Sequence, residues 1–390
     1  MQPQPPPYDP QALDAFVALA GARSWEARIE EIRRHAASGP RAGLTVRQRH
    51  AIELAIDRLR GTLTRAPSIA ELHAARLAAE AVAVSRTVGR AGRGRLRERV
   101  RDALSGEGTL VPLFHLLRTA ALQASRGFAV RFAGLTDAAP YDLLIAHGAQ
   151  EAEIACEVVS AEEGRLLHRG AWSHLADRVA VDLRAWLSDY PGRYLLKMTL
   201  PDGLRHDALA EMHDRIRRLL QTRGRRDDDP AAMLRLDPLM PAASDGLMPS
   251  LRREFGPEAH LAVTTADGGV FAMAARSGRA DQIAIAMRRR LFDVAPTRLG
   301  GTRPGILAIF IDDTDRAEWL GLRERLELEG EARQFLAYKA ARPVVAVTCT
   351  SRCELFGMPD AADEGELRFR NSAHPAAKAS ALGPAILSSV

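Results

Sequence analysis

Residues 128–160, FAVRFAGLTDAAPYDLLIAHGAQEAEIACEVVS, hold the pattern that decides the fold. AVRFAG predicts a short strand, and Thr136 to Pro140 gather turn-forming residues. Asp142 opens an apolar strand, DLLIA, and EIACEVV supplies another. His147-Gly148 between them predicts a hairpin. Strand alternation places Glu153, Ala155 and Glu157 on one face.

Working outward, LVPLFHLLRTAALQASRGF is an amphipathic helix that stops at Gly127. Downstream, SHLADRVAVDLRAWL reads as a helix, RYLLKMTL as a strand and HDALAEMHDRIRRLLQTR as a helix. Residues 109–224 are therefore expected to form one compact α/β core, with RYLLKMTL beside the Glu-rich strand. Residues 1–9 are Pro-rich and read as disordered. Residues 10–104 carry helical apolar stripes, among them Leu13, Phe16 and Val17, then Ile52, Leu54 and Leu59. They end in the basic run SRTVGRAGRGRLRERVR. Residues 225–257 read as a linker or insertion, 258–356 as a further α/β region and 357–390 as a weakly ordered tail. The fold class is α/β: a helical N-terminal region, a mixed-sheet core and a C-terminal α/β region.

The chain has 390 residues, 46% of them apolar but only 5% aromatic, so its cores must be built mainly from Ala, Leu, Val and Ile. The opening MQPQPPPYDP lacks the basic-then-apolar order of a signal peptide, and no apolar run approaches the roughly 18 residues of a membrane span. Cys156, Cys349 and Cys353 are too few and too scattered for a disulfide framework, and Cys349 and Cys353 lack a second Cys/His pair for zinc. The expectation is a cytoplasmic protein with no membrane partner. Net charge is +5 with a pI of about 9.4, which favours a polyanionic partner. Lysine occurs only at Lys197, Lys339 and Lys378, the remaining fixed cations being arginine. A GC-rich, bacterial-type genome alone produces such a bias.

Two basic clusters are candidate phosphate contacts. Within the run at 86–101, Arg93, Arg95 and Arg97 are interspersed with glycines that would let the backbone approach phosphates. The bland reading of the run is a solvated linker. After the Glu-rich strand, Arg165, His168 and Arg169 crowd the expected helix entrance, where exposed N–H groups favour anions. Ser160 to Glu163 also reads as a capping box with a purely structural role. GGTRPGI at 300–306 lacks phosphate-loop spacing and reads as a turn entering a strand.

Helix, strand, Pro140-Tyr141-Asp142 strand entry, hairpin, Glu-rich strand and helix together resemble the PD-(D/E)XK restriction-endonuclease-like core, over about residues 109–200. The resemblance implies Asp142 and Glu157 as ligands of Mg²⁺ or Mn²⁺ in a hydrolase that cleaves DNA. Two departures stand out. The position two residues after Glu157, where the family places lysine, is Val159; alternatively Ala155-Cys156-Glu157 fills the motif with Glu157 in the lysine position. The first helix carries no Glu between Leu110 and Arg126. Lys197, the core's one lysine, is then the candidate displaced catalytic cation, against the plain reading of a solvent-facing edge-strand lysine. Two functions follow. One is a nucleic-acid-binding protein with a nuclease-like core that performs metal-dependent cleavage of DNA (or RNA). The other is an inactive pseudo-nuclease that serves as a binding or assembly module, with a protein partner on its C-terminal α/β region.

Overall fold

The computed structural model describes residues 8–61, 65–239, 246–256, 259–352 and 366–387. The expected disorder of 1–9 and the reading of Cys353 fall almost entirely outside these. The chain is α/β and forms two compact units. The first comprises Met1–Arg33, Arg49–Ala161 and Ala284–Val390; the second comprises Arg34–Gln48 and Glu162–Ile283.

In the first unit, helices α1 (Pro10–Ala20), α2 (Ala22–Ala36), α4 (Ala51–Arg60), α5 (Ile69–Thr87), α6 (Gly89–Ala103) and α7 (Val111–Ser125) bury one continuous apolar core. Leu13, Phe16, Trp25, Ile56, Ala78 and Phe114 sit at its centre, Phe16 edge-on to Trp25. Ser68 caps α5 reciprocally with Glu71, as the sequence order Pro-Ser-x-x-Glu favours. The basic run is thus a helix rather than a linker. Gly92 serves close packing within the protein: a Cβ there would stand 3.0 Å from the carbonyl oxygen of Leu135 in the short helix α8 (Ala133–Thr136).

The sheet of this unit runs β1 (Ala129–Arg131), β2 (Leu143–His147), β3 (Gln150–Ser160), β9 (Gly305–Asp312), β10 (Val344–Ser351) and β11 (Leu367–Arg370), in that spatial order. The hairpin is as expected: β2 and β3 are antiparallel, with Leu143 opposite Ile154 and His147 opposite Gln150. Strand β3 is parallel to β9, and β9 to β10. Every residue of β9 and β10 is buried, as parallel strands covered on both faces require. Helix α7 covers one face, packing Leu116 and Ala120 on Leu143, Ile145, Ile154 and Ile306. On the other face α12 (Ile283–Arg298) brings Met287 Sδ to 3.4 Å from Cys349 Sγ.

In the second unit, β5 (Arg226–Asp228), β6 (Met233–Pro238), β4 (Arg193–Leu200), β8 (Gly269–Ser277) and β7 (His260–Ala266) form a sheet in that order, parallel only between β4 and β8. Helices α9 (Arg169–Asp189) and α10 (Leu209–Gln221) bury its inner face through Leu175, Val179, Leu196, Met198, Leu234 and Phe271. On the outer face α11 (Leu247–Phe255) covers Leu195, Ala272 and Ala274 with Leu251. Helix α3 (Pro40–Arg49) belongs here too, because the Asp177 carboxylate of α9 accepts the backbone N–H groups of Arg41 and Ala42, both at 2.9 Å.

Several sequence expectations change. RYLLKMTL is β4; it lies between β6 and β8, and the strand beside the Glu-rich β3 is β9. Residues 109–224 therefore do not close into one unit: the chain leaves the first sheet after β3 and returns as α12 and β9. The stretch 225–257 is not a plain linker but supplies β5, β6 and α11, with buried Arg215 ion-paired to Asp227 at 2.8 Å and Asp229 at 2.6 Å. Residues 258–356 are divided between the two units. In the tail, β11 pairs with β10, and Ala377, Leu382, Ala385 and Ile386 are buried. Among the described residues no helix is long and apolar enough to cross a membrane.

Candidate functional site

Asp142 stands where the chain turns from the loop after Pro140 into β2. Its N–H donates to Ile154 O at 2.9 Å and its carbonyl accepts Gly134 N–H at 3.0 Å. With the main chain fixed on both sides, the carboxylate turns inward, 2% exposed, and Oδ2 accepts the Cys156 N–H of β3 at 2.8 Å. Two arginines complete its surroundings. Arg99 of α6 places Nη2 2.7 Å from Oδ1, and Arg298, the last residue of α12, places Nη2 2.7 Å from Oδ2.

Glu157 faces the same guanidinium. Arg298 donates from Nη1 to Glu157 Oε1, from Nη2 to Asp142 and from Nε to Pro140 O at 2.7 Å, so each guanidinium nitrogen is used. Burial pushes the Glu157 carboxyl above its ordinary range; Arg298 opposes the rise and the Asp142 carboxylate adds to it. Glu153, on the same face of β3, is also taken: Oε2 accepts Gly300 N–H at 2.6 Å. A Cβ at Gly300 would approach Glu153 Oε1 to 2.8 Å, which fits glycine at the turn where GGTRPGI enters β9.

The resemblance implies Mg²⁺ or Mn²⁺ on Asp142 and Glu157. Magnesium demands carboxylate and water oxygens in a near-ideal octahedron. Here both Asp142 oxygens already accept charged or backbone N–H donors, and the point where the two carboxylates converge holds the Arg298 guanidinium. Among the described residues, no three His, Cys, Asp or Glu side chains are placed to hold a metal ion. The donor set does not fit the ion. It forms a fixed cation–carboxylate cluster instead.

Lys197 is not brought to the acids. It belongs to β4 of the second unit, with Nζ 3.1 Å from Glu254 Oε1, 3.7 Å from Asp237 Oδ2 and 5.6 Å above the Phe255 ring. The Arg165 group is not the open helix entrance expected. Helix α9 starts at Arg169, so Ser160 to Glu163 do not cap it; Ser160 ends β3, and its hydroxyl donates to Asp313 at 2.6 Å. Arg165 is 4% exposed and bonded to Glu162, which also accepts Arg169 N–H at 3.1 Å. His168 Nδ1 lies 3.9 Å from the same carboxylate. The anion at this helix start is the chain's own.

The basic run divides by helical phase. Arg95 and Arg99, one turn apart, point inward: Arg95 donates to Leu135 O at 2.6 Å and Thr136 O at 2.9 Å. Arg90, Arg93, Arg97 and Arg101 follow at spacings of three and four and are exposed, although Arg93 Nε also donates to Ser85 O. Arg298 was not singled out from sequence, since no local pattern marks a helix-terminal arginine whose partners lie 141 and 156 positions away. No known family, curated protein or solved structure matches this chain.

Proposed function

We propose that this chain is a nucleic-acid-binding protein built on a nuclease-like core that does not cleave, a pseudo-nuclease. The observation that carries the reading is the Arg298 guanidinium held between Asp142 and Glu157. It fills with a fixed cation the place where nuclease chemistry would need an exchangeable one with bound water. The order of elements supports a nuclease-like ancestry: helix α7, the meander β1–β2–β3, helix α12, then β9 parallel to β3.

Binding is assigned to the outer arginines of α6. From Arg90 to Arg101 the stripe covers about 16 Å at 1.5 Å per residue, and each guanidinium can hold a phosphate through paired N–H donors. The inner face of the same helix is tied to the cluster by the Arg99–Asp142 ion pair, so on this reading an acid inherited from a catalytic site now holds the binding helix in place.

The test has two parts. Purified protein should not nick supercoiled plasmid in Mg²⁺ or Mn²⁺; metal-dependent nicking that is lost in Asp142→Ala would overturn the reading. On duplex DNA, the salt dependence should carry about −0.9 in slope per phosphate neutralised. The variant Arg90→Ala, Arg93→Ala, Arg97→Ala, Arg101→Ala should flatten that slope by roughly two to four and bind at least about tenfold more weakly at low salt. Arg95→Ala, whose guanidinium faces inward, should leave the slope unchanged. An unaltered slope in the fourfold variant would remove α6 as the contact.

A further inference from the structure

The second unit carries a binding surface of its own. On the outer face of its sheet, Arg226 of β5 stands directly opposite Arg235 of β6, and Arg235 directly opposite Lys197 of β4. Three cations therefore lie in one row across three neighbouring strands. Like charges in register weaken a sheet, and the inner-face packing of the same strands rests on Leu196, Met198, Leu234 and Leu236, so core packing does not account for the row. In the next row Arg276 of β8 pairs with Thr199, which pairs with Met233, an exposed methionine.

These residues line a cleft of about 770 Å³, with Phe255 of α11 among its walls. The lining holds five cations, the fifth being Arg225, against the carboxylates of Asp228, Asp237 and Glu254. The acids pair with the row: Arg226 with Asp228, Arg235 with Asp237 at 3.0 Å, Lys197 with Glu254 at 3.1 Å. Such exposed pairs are weak and exchange readily for a phosphate.

We propose that this cleft binds a single strand of nucleic acid, its phosphates along the cation row and a base against Phe255. The row spans two strand spacings, about 10 Å, which suits one phosphodiester chain. The Phe255 wall favours a single strand over a duplex, because only unpaired bases are free to stack on it. Cations along a groove with an aromatic ring at its wall form the combination that non-specific single-strand sites use. The surface does not depend on α6 and stands or falls separately from it.

The test measures anisotropy of a fluorescent 20-nucleotide oligo-dT, and of a duplex of equal length, with the full chain at low salt. Lys197→Ala, Arg235→Ala, Arg276→Ala should weaken oligo-dT binding at least about tenfold and leave duplex binding within twofold. Phe255→Ala, which keeps every charge, should weaken oligo-dT at least about fivefold through lost stacking. Variants must retain the wild-type circular dichroism; because Phe255 also packs on the outer-face cluster with Leu251, Lys197→Glu alone, which removes no core contact, serves as a second probe with the same expected direction. Oligo-dT affinity within twofold of wild type in the triple variant would overturn the proposal, as would equal weakening of duplex and oligo-dT. Loss of duplex binding confined to the α6 variant, with oligo-dT retained, supports both surfaces. Oligo-dT binding without any duplex binding removes only the α6 assignment.

Discussion

Asp142→Ala is expected to destabilise the first unit by about 2–3 kcal/mol. Removing one member of a buried charge cluster typically costs about 3–5 kcal/mol because the remaining charges lose their partner. The figure is reduced here because the Arg99 and Arg298 side chains are 38% and 29% exposed and can turn partly to water. The Cys156 N–H also loses its acceptor. The sign separates the two readings of this site. In a bare metal site the carboxylates repel, and deleting one stabilises the fold; in an arginine-clamped cluster, deleting one destabilises it. Urea midpoints, with hydrogen exchange followed over β2 and β3, measure the effect. Asp142→Ala as stable as wild type, or more stable, would sink the clamp. Nucleic-acid binding near 50 mM salt should persist in the variant at temperatures where it remains folded.

The second large effect is a loss of stability in acid that traces to His115. This side chain of α7 is 2% exposed, Nε2 lies 2.9 Å from the Ala308 carbonyl oxygen of β9, and Nδ1 has no hydrogen-bond partner among the described residues. Burial pushes its pKa down to about 4, with Arg118 acting in the same direction and the Ala308 carbonyl opposing. The folded state therefore keeps the ring neutral while the unfolded chain takes up a proton near the ordinary 6.5. Stability is full above about pH 6.5 and falls as pH drops toward 4, by at most about 1.4 kcal/mol per unit and roughly 3 kcal/mol in all. His115→Gln can still donate to Ala308 but does not titrate, so the difference between the two proteins should shrink steadily over that window. His260, half-buried, has its pKa lowered to about 3 by partial burial, with Arg165 and Arg169 acting in the same direction; it titrates alike in both proteins and cancels in the difference. A pH-independent difference would show that His115 plays no part.

The β2–β3 hairpin was legible because its signals are local: period two, a His147-Gly148 turn, and Gly127 ending the preceding helix. The neighbour of β3 was not, because two helix–strand modules in the chain look alike. The discriminating signal is present all the same. GILAIFID is apolar almost throughout, as a strand buried on both faces must be, whereas RYLLKMTL alternates and exposes Lys197 on an open face. RGRRDDDP looked like a linker because its order comes from a partner elsewhere, buried Arg215. In the basic run the glycines suggested backbone close to phosphate; Gly92 instead lets α6 lie against Leu135. At the candidate site Asp142 and Glu157 were readable as a pair, and Arg99 lay within a run already noted. The residue that changes their chemistry, Arg298, arrives from a helix far along the chain, and no spacing rule reaches that distance.

The separation of β3 from β9 matters for how the protein is made. Gly305 leaves the ribosome about 145 residues after Ser160, an interval of roughly 7–30 s at 5–20 residues per second. Throughout it the longest strand of the first sheet has one edge with no partner, and its face bearing Glu157 lacks α12. A nascent chain in that state is a ready substrate for strand addition by a neighbouring copy. The intervening 122 residues from Glu162 to Ile283 form most of a self-contained core while the edge waits, so the bulk of the exposed apolar chain is withdrawn from solvent before β9 arrives to close the gap.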